Sequence, residues 1–148
     1  MKSIINILLI VVTFAGSQVA TSQIKENREV YTYLDETNLQ KILKGQDINF
    51  ERIQKDEYKI ELEGYNAFAE ISDDGDLFLT CFFESSTVTL EEINTYNADH
   101  RWGRVYLDSD GDIAVQTELS FTGGIHLDGI IIHLNTFASI LENVSENF

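Results

Sequence analysis

The chain has 148 residues, which is enough for one domain with a buried core and too few for two. Its 25 acidic residues outnumber its 10 basic ones, so the formal net charge is −15 at pH 7. A surface of this sign repels phosphate backbones and anionic lipid headgroups, which argues against binding to nucleic acid or to a membrane surface. The charge is sufficient to explain solubility, and it could also steer the protein toward a basic partner.

The first 22 residues have the pattern of a secretory signal peptide. A basic start at Lys2 precedes an apolar run over residues 4–14, which is too short for a stable membrane anchor. Small residues follow, and cleavage fits after Ser17 or after Ser22. A core helix or an uncleaved anchor is the alternative. We expect residues 1–22 to be removed, leaving a periplasmic or secreted protein without a stable membrane anchor.

The mature chain is expected to consist of an N-terminal arm, residues 23–34, and a single domain, residues 35–148. The arm is polar with some β-forming residues, which fits a loose segment or an edge strand. The domain opens with a short helix over residues 35–44, for which Thr37 is the predicted cap and Gly45 the stop.

A series of strands is predicted after this helix. Apolar and charged residues alternate over residues 58–62, the pattern of a half-buried strand, and an acidic hairpin turn lies at residues 73–76. The next strand, residues 77–83, is apolar on both faces, because Phe78 and Phe82 alternate with other apolar residues. We expect this strand to be central, or to be covered on its outer face by a partner.

A second helix is predicted to begin at a capping box formed by Thr89 and Glu92 and to end near His100. A hairpin follows, with its turn at residues 108–111. A Gly-Gly link then leads to a last helix, which Asp128 is predicted to cap.

The final residues, 145–148, are expected to fray. The element order predicts an α+β fold, α-β-β-β-α-β-β-α or the same order with a fourth strand in the first group. Its sheet is expected to be twisted and antiparallel, with the helices packed on one side.

Two acidic turns are candidates for calcium binding, because closely spaced carboxylates are the ligands that Ca²⁺ prefers. They lie at residues 73–76 and 108–112. An EF-hand loop starting at Asp108 would need glycine sixth and glutamate twelfth, where the chain has Ile113 and Leu119. An ordinary acidic hairpin turn is therefore favoured, with calcium binding left open.

The sequence predicts no catalytic residue, no metal centre and no cofactor. His126 and His133 are seven residues apart, whereas helical zinc ligands are usually four apart. Cys81 is the only cysteine, and it lies in an apolar strand pattern that is typical of a small core residue. Neither a Gly-x-Ser-x-Gly motif nor a phosphate-binding glycine loop occurs.

One basic, aromatic segment, residues 100–104, is a candidate interface, since arginine and tryptophan are typical anchors at interfaces between proteins. The alternative is that Trp102 packs under a helix end while the arginines pair with nearby aspartates. Together with the outer side chains of the doubly apolar strand, the predicted interface comprises Arg101, Trp102, Arg104, Tyr106, Phe78 and Phe82.

Residues 93–125 resemble the YbjN family of bacterial sensory transduction regulators. The family pattern combines an Asn-x-x-Asn helix end, an aromatic-Gly-Arg step, an acidic turn and a Gly-Gly pair. The residues that match it are Asn94, Asn97, Trp102, Gly103, Arg104, Tyr106, Leu107, Asp108, Gly123 and Gly124, while Tyr96 stands where tryptophan is common. The N-terminal half matches only in its order of elements.

The resemblance implies a fold similar to the type III secretion chaperones, in which helices pack on a twisted antiparallel sheet, often as a homodimer. It implies a protein that binds other proteins and catalyses no reaction. The expected function is that of an exported, chaperone-like or regulatory protein-binding module of the bacterial envelope. The alternatives are an immunity-type protein that neutralises an exported toxin and a small-ligand-binding protein.

Overall fold

The computed structural model describes residues 29–84 and 87–148, so the predicted signal peptide lies outside the described residues. The described chain forms eight strands and three helices. In chain order they are β1 (Val30–Tyr31), α1 (Glu36–Gly45), β2 (Phe50–Gln54), β3 (Glu57–Leu62), β4 (Tyr65–Ile71), β5 (Leu77–Phe83), α2 (Leu90–Asp99), β6 (Arg104–Leu107), β7 (Ile113–Leu119), β8 (Ile125–His126) and α3 (Leu127–Asn147).

Six strands form one antiparallel sheet in the order β2-β3-β4-β5-β7-β6, and β1 pairs with β8 in a separate two-stranded ribbon. The α+β class and the central position of β5 are confirmed. Four strands lie between α1 and α2, as in the four-strand form of the predicted order. The first of them, β2, is an exposed edge strand with a register shift between Arg52 and Gln54.

The helices cover one face of the sheet, called the inner face here. Because laterally paired residues of antiparallel strands point to the same side, the register places Tyr58, Leu79 and Thr117 together on this face. Gln40 of α1 donates a hydrogen bond to the Tyr58 hydroxyl at 2.9 Å, and His133 of α3 contacts Thr117. Tyr96 of α2 bonds to Asn143 of α3, which holds α2 on the same side.

Two predicted helix caps were wrong, while the Thr89–Glu92 capping box was confirmed. Asp35, not Thr37, caps α1 by accepting a hydrogen bond from the Asn38 amide at 2.7 Å. The last helix begins directly after β8 with His126 as its cap residue, so Asp128 lies inside the first turn. There its negative charge interacts favourably with the positive end of the helix dipole.

The end of α3 is also more ordered than predicted. The helix continues to Asn147 instead of fraying after Val144. Two tertiary contacts explain the difference: the Tyr65 hydroxyl lies 2.8 Å from the Ser145 hydroxyl, and the rings of Tyr96 and Phe148 are 5.4 Å apart.

The described part of the N-terminal arm adopts the edge-strand alternative. It forms β1, and Tyr31 and Leu34 are buried in the core. The Tyr33 ring lies directly against Gly75, where an added Cβ would be 2.3 Å from Tyr33 Cδ2. Gly75 also has a φ of +80°, so both its backbone and the arm require glycine at this turn. Among the described helices, none has the length and hydropathy needed to cross a membrane.

Candidate binding surface

The outer face of the sheet, opposite the helices, carries an aromatic strip formed by Phe68, Phe78, Phe82 and Tyr106. The register places all four side chains on this face, since Phe68 pairs with Thr80 and Phe82 pairs with Ala114, which in turn pairs with Tyr106. The Phe68 and Phe82 rings meet edge to face, with centroids 6.0 Å apart. Phe82 is nevertheless 47% exposed, and Phe68, Phe78 and Tyr106 are half-buried, so the strip is partly open to solvent in the described structure.

Polar contacts hold Arg104 in place beside the strip. Its guanidinium lies 5.1 Å from the centroid of the Tyr106 ring and donates a hydrogen bond to Gln116 Oε1. Gln116 Nε2 in turn donates to Thr80 Oγ1 at 3.3 Å. These contacts orient the arginine on a rigid sheet, which lowers the side-chain entropy that binding would cost.

A groove opens at the end of this face, where β7 extends beyond β6. The β6–β7 ladder ends at the Arg104–Gln116 pair, so residues 117–119 form a sheet edge beside α3. The groove, called the edge groove here, has a volume of about 630 Å³. Its apolar wall includes Phe137 and Ile140, and Trp102, which is 73% exposed, stands among its lining residues.

The edge groove is continuous with the outer face, because Phe78, Arg104, Gln116 and Glu118 belong to both. On its inner side, His133 Nε2 lies 3.2 Å from Thr117 Oγ1. Burial lowers the pKa of His133 below its ordinary value, so the ring is neutral at pH 7. The groove therefore offers an apolar wall, neutral polar groups on its inner side, and the charged Arg104 and Glu118 where it meets the outer face, beside an exposed indole.

Residues of the family motif build this end of the sheet rather than the aromatic strip itself. The Asn97 side chain donates a hydrogen bond to the Val105 carbonyl at 2.7 Å and accepts one from the Val105 amide at 3.1 Å. These two bonds provide partners for backbone groups at the open edge of β6. Gly103, with a φ of +81°, lies so close to α3 that an added Cβ would be 3.3 Å from both Ile140 and Thr117. Asn97 and Gly103 therefore position Trp102 and Arg104.

The acidic turns use their carboxylates for backbone hydrogen bonds. Asp108 Oδ1 accepts from the amides of Asp110 and Asp112, each at 2.9 Å, and Asp76 Oδ1 accepts from the Phe121 amide at 2.8 Å. In residues 29–84 and 87–148, no group of three or more histidine, cysteine or acidic side chains could hold a metal ion. The geometry agrees with acidic hairpin turns.

Cys81 is buried on the inner face, as its strand pattern predicted. Burial raises the pKa of its thiol to about 11, so it is protonated at neutral pH. A buried, protonated thiol is a poor nucleophile, which agrees with a structural role for this residue.

The structure brings five of the six predicted interface residues together. Phe78, Phe82, Arg104 and Tyr106 share the outer face, and Trp102 lines the edge groove beside Phe78. Trp102 is too exposed to be packed under a helix end, so that alternative was wrong. Arg101 is exposed in the loop before β6 and is not among the residues that line the groove.

Sequence reasoning missed Phe68, Gln116 and His133 as members of this surface. Phe68 was detectable, because it alternates with Ala67 and Ala69 along β4 and so points to the face opposite these two alanines. Gln116 was detectable in the same way, because it alternates with Val115 and Thr117 in β7. His133 had no comparable signal, since its position depends on how α3 crosses β7.

The fold and this surface define a small α+β domain that exposes one face of its sheet. Residues 35–148 match the family YbjN, described as "Putative bacterial sensory transduction regulator", and the chain belongs to this family. The description is that of a regulator, which agrees with a non-catalytic role. Comparisons with curated proteins and with solved structures give no match. The likeness to secretion chaperones therefore stays an implication of the resemblance.

Proposed function

We propose that this protein is a non-catalytic protein-binding module of the bacterial envelope, exported with loss of residues 1–22 and chaperone-like or regulatory in role. The observation that carries the proposal is the aromatic strip, because Phe68, Phe78 and Phe82 lie on the middle strands β4 and β5 and none of them is fully buried, with Phe82 47% exposed. A partner that covered them would remove apolar surface from water without requiring the sheet to rearrange.

The residue types on this surface support protein recognition. Tyrosine, tryptophan and arginine are the commonest side chains at energetic hot spots of interfaces. Tyr106, Trp102 and Arg104 lie at one end of the outer face, and Phe68 and Phe82 form a mutually supporting pair near its centre. Apart from the exposed Trp102, these side chains are already held by contacts with one another in the free protein.

The polar groups of the edge groove support a non-catalytic role. His133 and Thr117 resemble a base and a hydroxyl nucleophile in contact, but such a pair needs a third group that orients the histidine. Within the described residues, His133 Nδ1 has no such partner. The groove is better suited to receive a single side chain of a bound protein.

A second copy of the chain is the other occupant to consider, since the resemblance implies a homodimer. Packing two outer faces together would cover the aromatic strip of both copies. This arrangement predicts a self-associating protein, whereas a heterologous partner predicts a monomer in the purified state.

The test is capture of partners from an envelope extract of the source bacterium. Residues 23–148 would be immobilised through an N-terminal tag, because Phe148 at the other end contacts Tyr96. The variant Phe82→Ser removes an aromatic side chain from the strip. Leu90→Ser is the matched control, because Leu90 is 66% exposed on α2, away from the outer face.

We expect one or more proteins to be retained by the wild type and by Leu90→Ser and to be lost with Phe82→Ser. Circular dichroism melting would establish that both variants fold. If folded Phe82→Ser retained the same proteins as the wild type, the outer face would not be the binding surface and the proposal would fail.

A further inference from the structure

Three carboxylates lie in one row across the outer face, beside the aromatic strip. The register pairs Glu57 with Glu70, Glu70 with Phe78, and Phe78 with Glu118, so these four side chains form a line across β3, β4, β5 and β7. We call Glu57, Glu70 and Glu118 the acidic row. Glu57 and Glu70 are directly opposed, and like charges in that position destabilise a sheet.

No cation of the described residues forms an ion pair with the acidic row, although Glu57 Oε2 accepts a hydrogen bond from the Gln54 side-chain amide. The ion pairs within the described residues are Lys41–Glu29, Arg52–Glu36 and Lys55–Asp56, none of which includes a member of the row. Two cations share the outer face, but Lys59 has no ion pair with the row and Arg104 is engaged by Gln116 and Tyr106. Within the described residues, no ion pair therefore offsets the repulsion between these carboxylates.

We infer that the partner of the outer face is a protein segment whose apolar side chains are flanked by lysine or arginine. This inference rests on the proposed function and specifies the class of partner. The apolar side chains would cover the aromatic strip, and the cations would lie along the acidic row. Binding would then relieve a repulsion that the free protein retains, which adds to the gain from apolar burial.

A second copy of the chain is a poor electrostatic match for this face. The outer-face positions in register carry five carboxylates against two cations, with the carboxylates at Glu51, Glu57, Glu61, Glu70 and Glu118. Face-to-face packing would place the excess carboxylates of one copy against those of the other, and each chain carries a formal net charge of −15. Charge complementarity selects a basic partner instead.

Trp102 provides a direct readout of binding, because it is the only tryptophan of the chain and lines the edge groove with Phe78 and Glu118. The probes are two synthetic peptides of equal length, one alternating leucine with lysine and one alternating leucine with glutamate. Each would be titrated into residues 23–148 in 0.15 M salt, which screens distant charges, while Trp102 emission is followed.

The critical variant is Glu70→Gln with Glu118→Gln. Its matched control is Glu142→Gln with Glu146→Gln, which removes the same charge from exposed positions on α3. Phe82→Ser and its control Leu90→Ser test the aromatic strip in parallel. All four proteins would first be compared with the wild type by thermal melting.

We expect the lysine peptide to shift Trp102 emission to shorter wavelength and the glutamate peptide to have no effect. Replacing Glu70 and Glu118 should weaken binding of the lysine peptide about tenfold relative to the α3 control, as expected for two lost ion pairs. Phe82→Ser should also bind the lysine peptide more weakly than Leu90→Ser does.

The other outcomes separate the two proposals. If Phe82→Ser weakens binding but both peptides bind alike and the acidic-row variant matches its control, the protein-binding face stands and the basic partner is excluded. If Phe82→Ser matches Leu90→Ser, attraction to the net charge explains any binding, and the outer face is not the site. Absence of binding by the lysine peptide would also overturn the inference.

Discussion

The two faces of strand β5 have similar composition and opposite surroundings. Leu77, Leu79 and Cys81 point inward and are at most 2% exposed, whereas Phe82 points outward and is 47% exposed. The difference arises because the helices cover only one face. An apolar side chain on a central strand is therefore not by itself a core residue, and its contribution to folding depends on what lies over it.

The largest expected difference is between truncations on these two faces. Leu79→Ala should lower the free energy of unfolding by about 2–5 kcal/mol, because it leaves a cavity in a core that cannot collapse fully. Phe82→Ala should cost less than about 1 kcal/mol, since the ring is half exposed and loses mainly its contact with Phe68. Urea unfolding measures both. Equal losses would show that the outer face is covered in the free protein.

A smaller effect is expected at the edge of the sheet. Asn97→Ala removes both hydrogen bonds to Val105 and should lower the free energy of unfolding by about 1–3 kcal/mol. Because Asn97 helps to position the loop before β6, Trp102 emission should change as well. Asn94→Ala is the matched control, since Asn94 is exposed on the same helix. A comparable loss at Asn94 would contradict the role assigned to Asn97.

The smallest effect is a pH dependence at the edge groove. The pKa of His133 is lowered by burial, so the unfolded chain binds a proton at higher pH than the folded chain does. Stability from this residue is thus present above its ordinary pKa of 6.5 and is lost as pH falls below that value. Between pH 7.5 and 5.5, wild type should lose stability relative to His133→Gln. Urea unfolding of both proteins at both pH values is the measurement. An equal change in the free energy of unfolding for wild type and His133→Gln would contradict the prediction.

Much of the fold followed from local patterns. The Thr89–Glu92 capping box and the doubly apolar strand β5 were predictable because each depends on neighbouring residues only. The α1 cap was ambiguous because Asp35 and Thr37 are both good capping residues two positions apart. The start of α3 was missed because it depends on pairing between β8 and the distant β1.

The candidate surface was predictable only in part, for the same reason. Alternation within β5 placed Phe78 and Phe82 on one side. The acidic row could not be foreseen, because Glu57, Glu70 and Glu118 become neighbours only through the register of four strands. The contact between His133 and Thr117 likewise requires the packing of α3 against β7.

The most direct test of the central claim is the solution mass of residues 23–148, measured by light scattering over a wide range of protein concentration. An outer face reserved for a basic partner predicts the mass of one chain at every concentration. A stable dimer that Phe82→Ser converts to monomer, while Leu90→Ser leaves it intact, would contradict the account, because a second copy would then cover the aromatic strip.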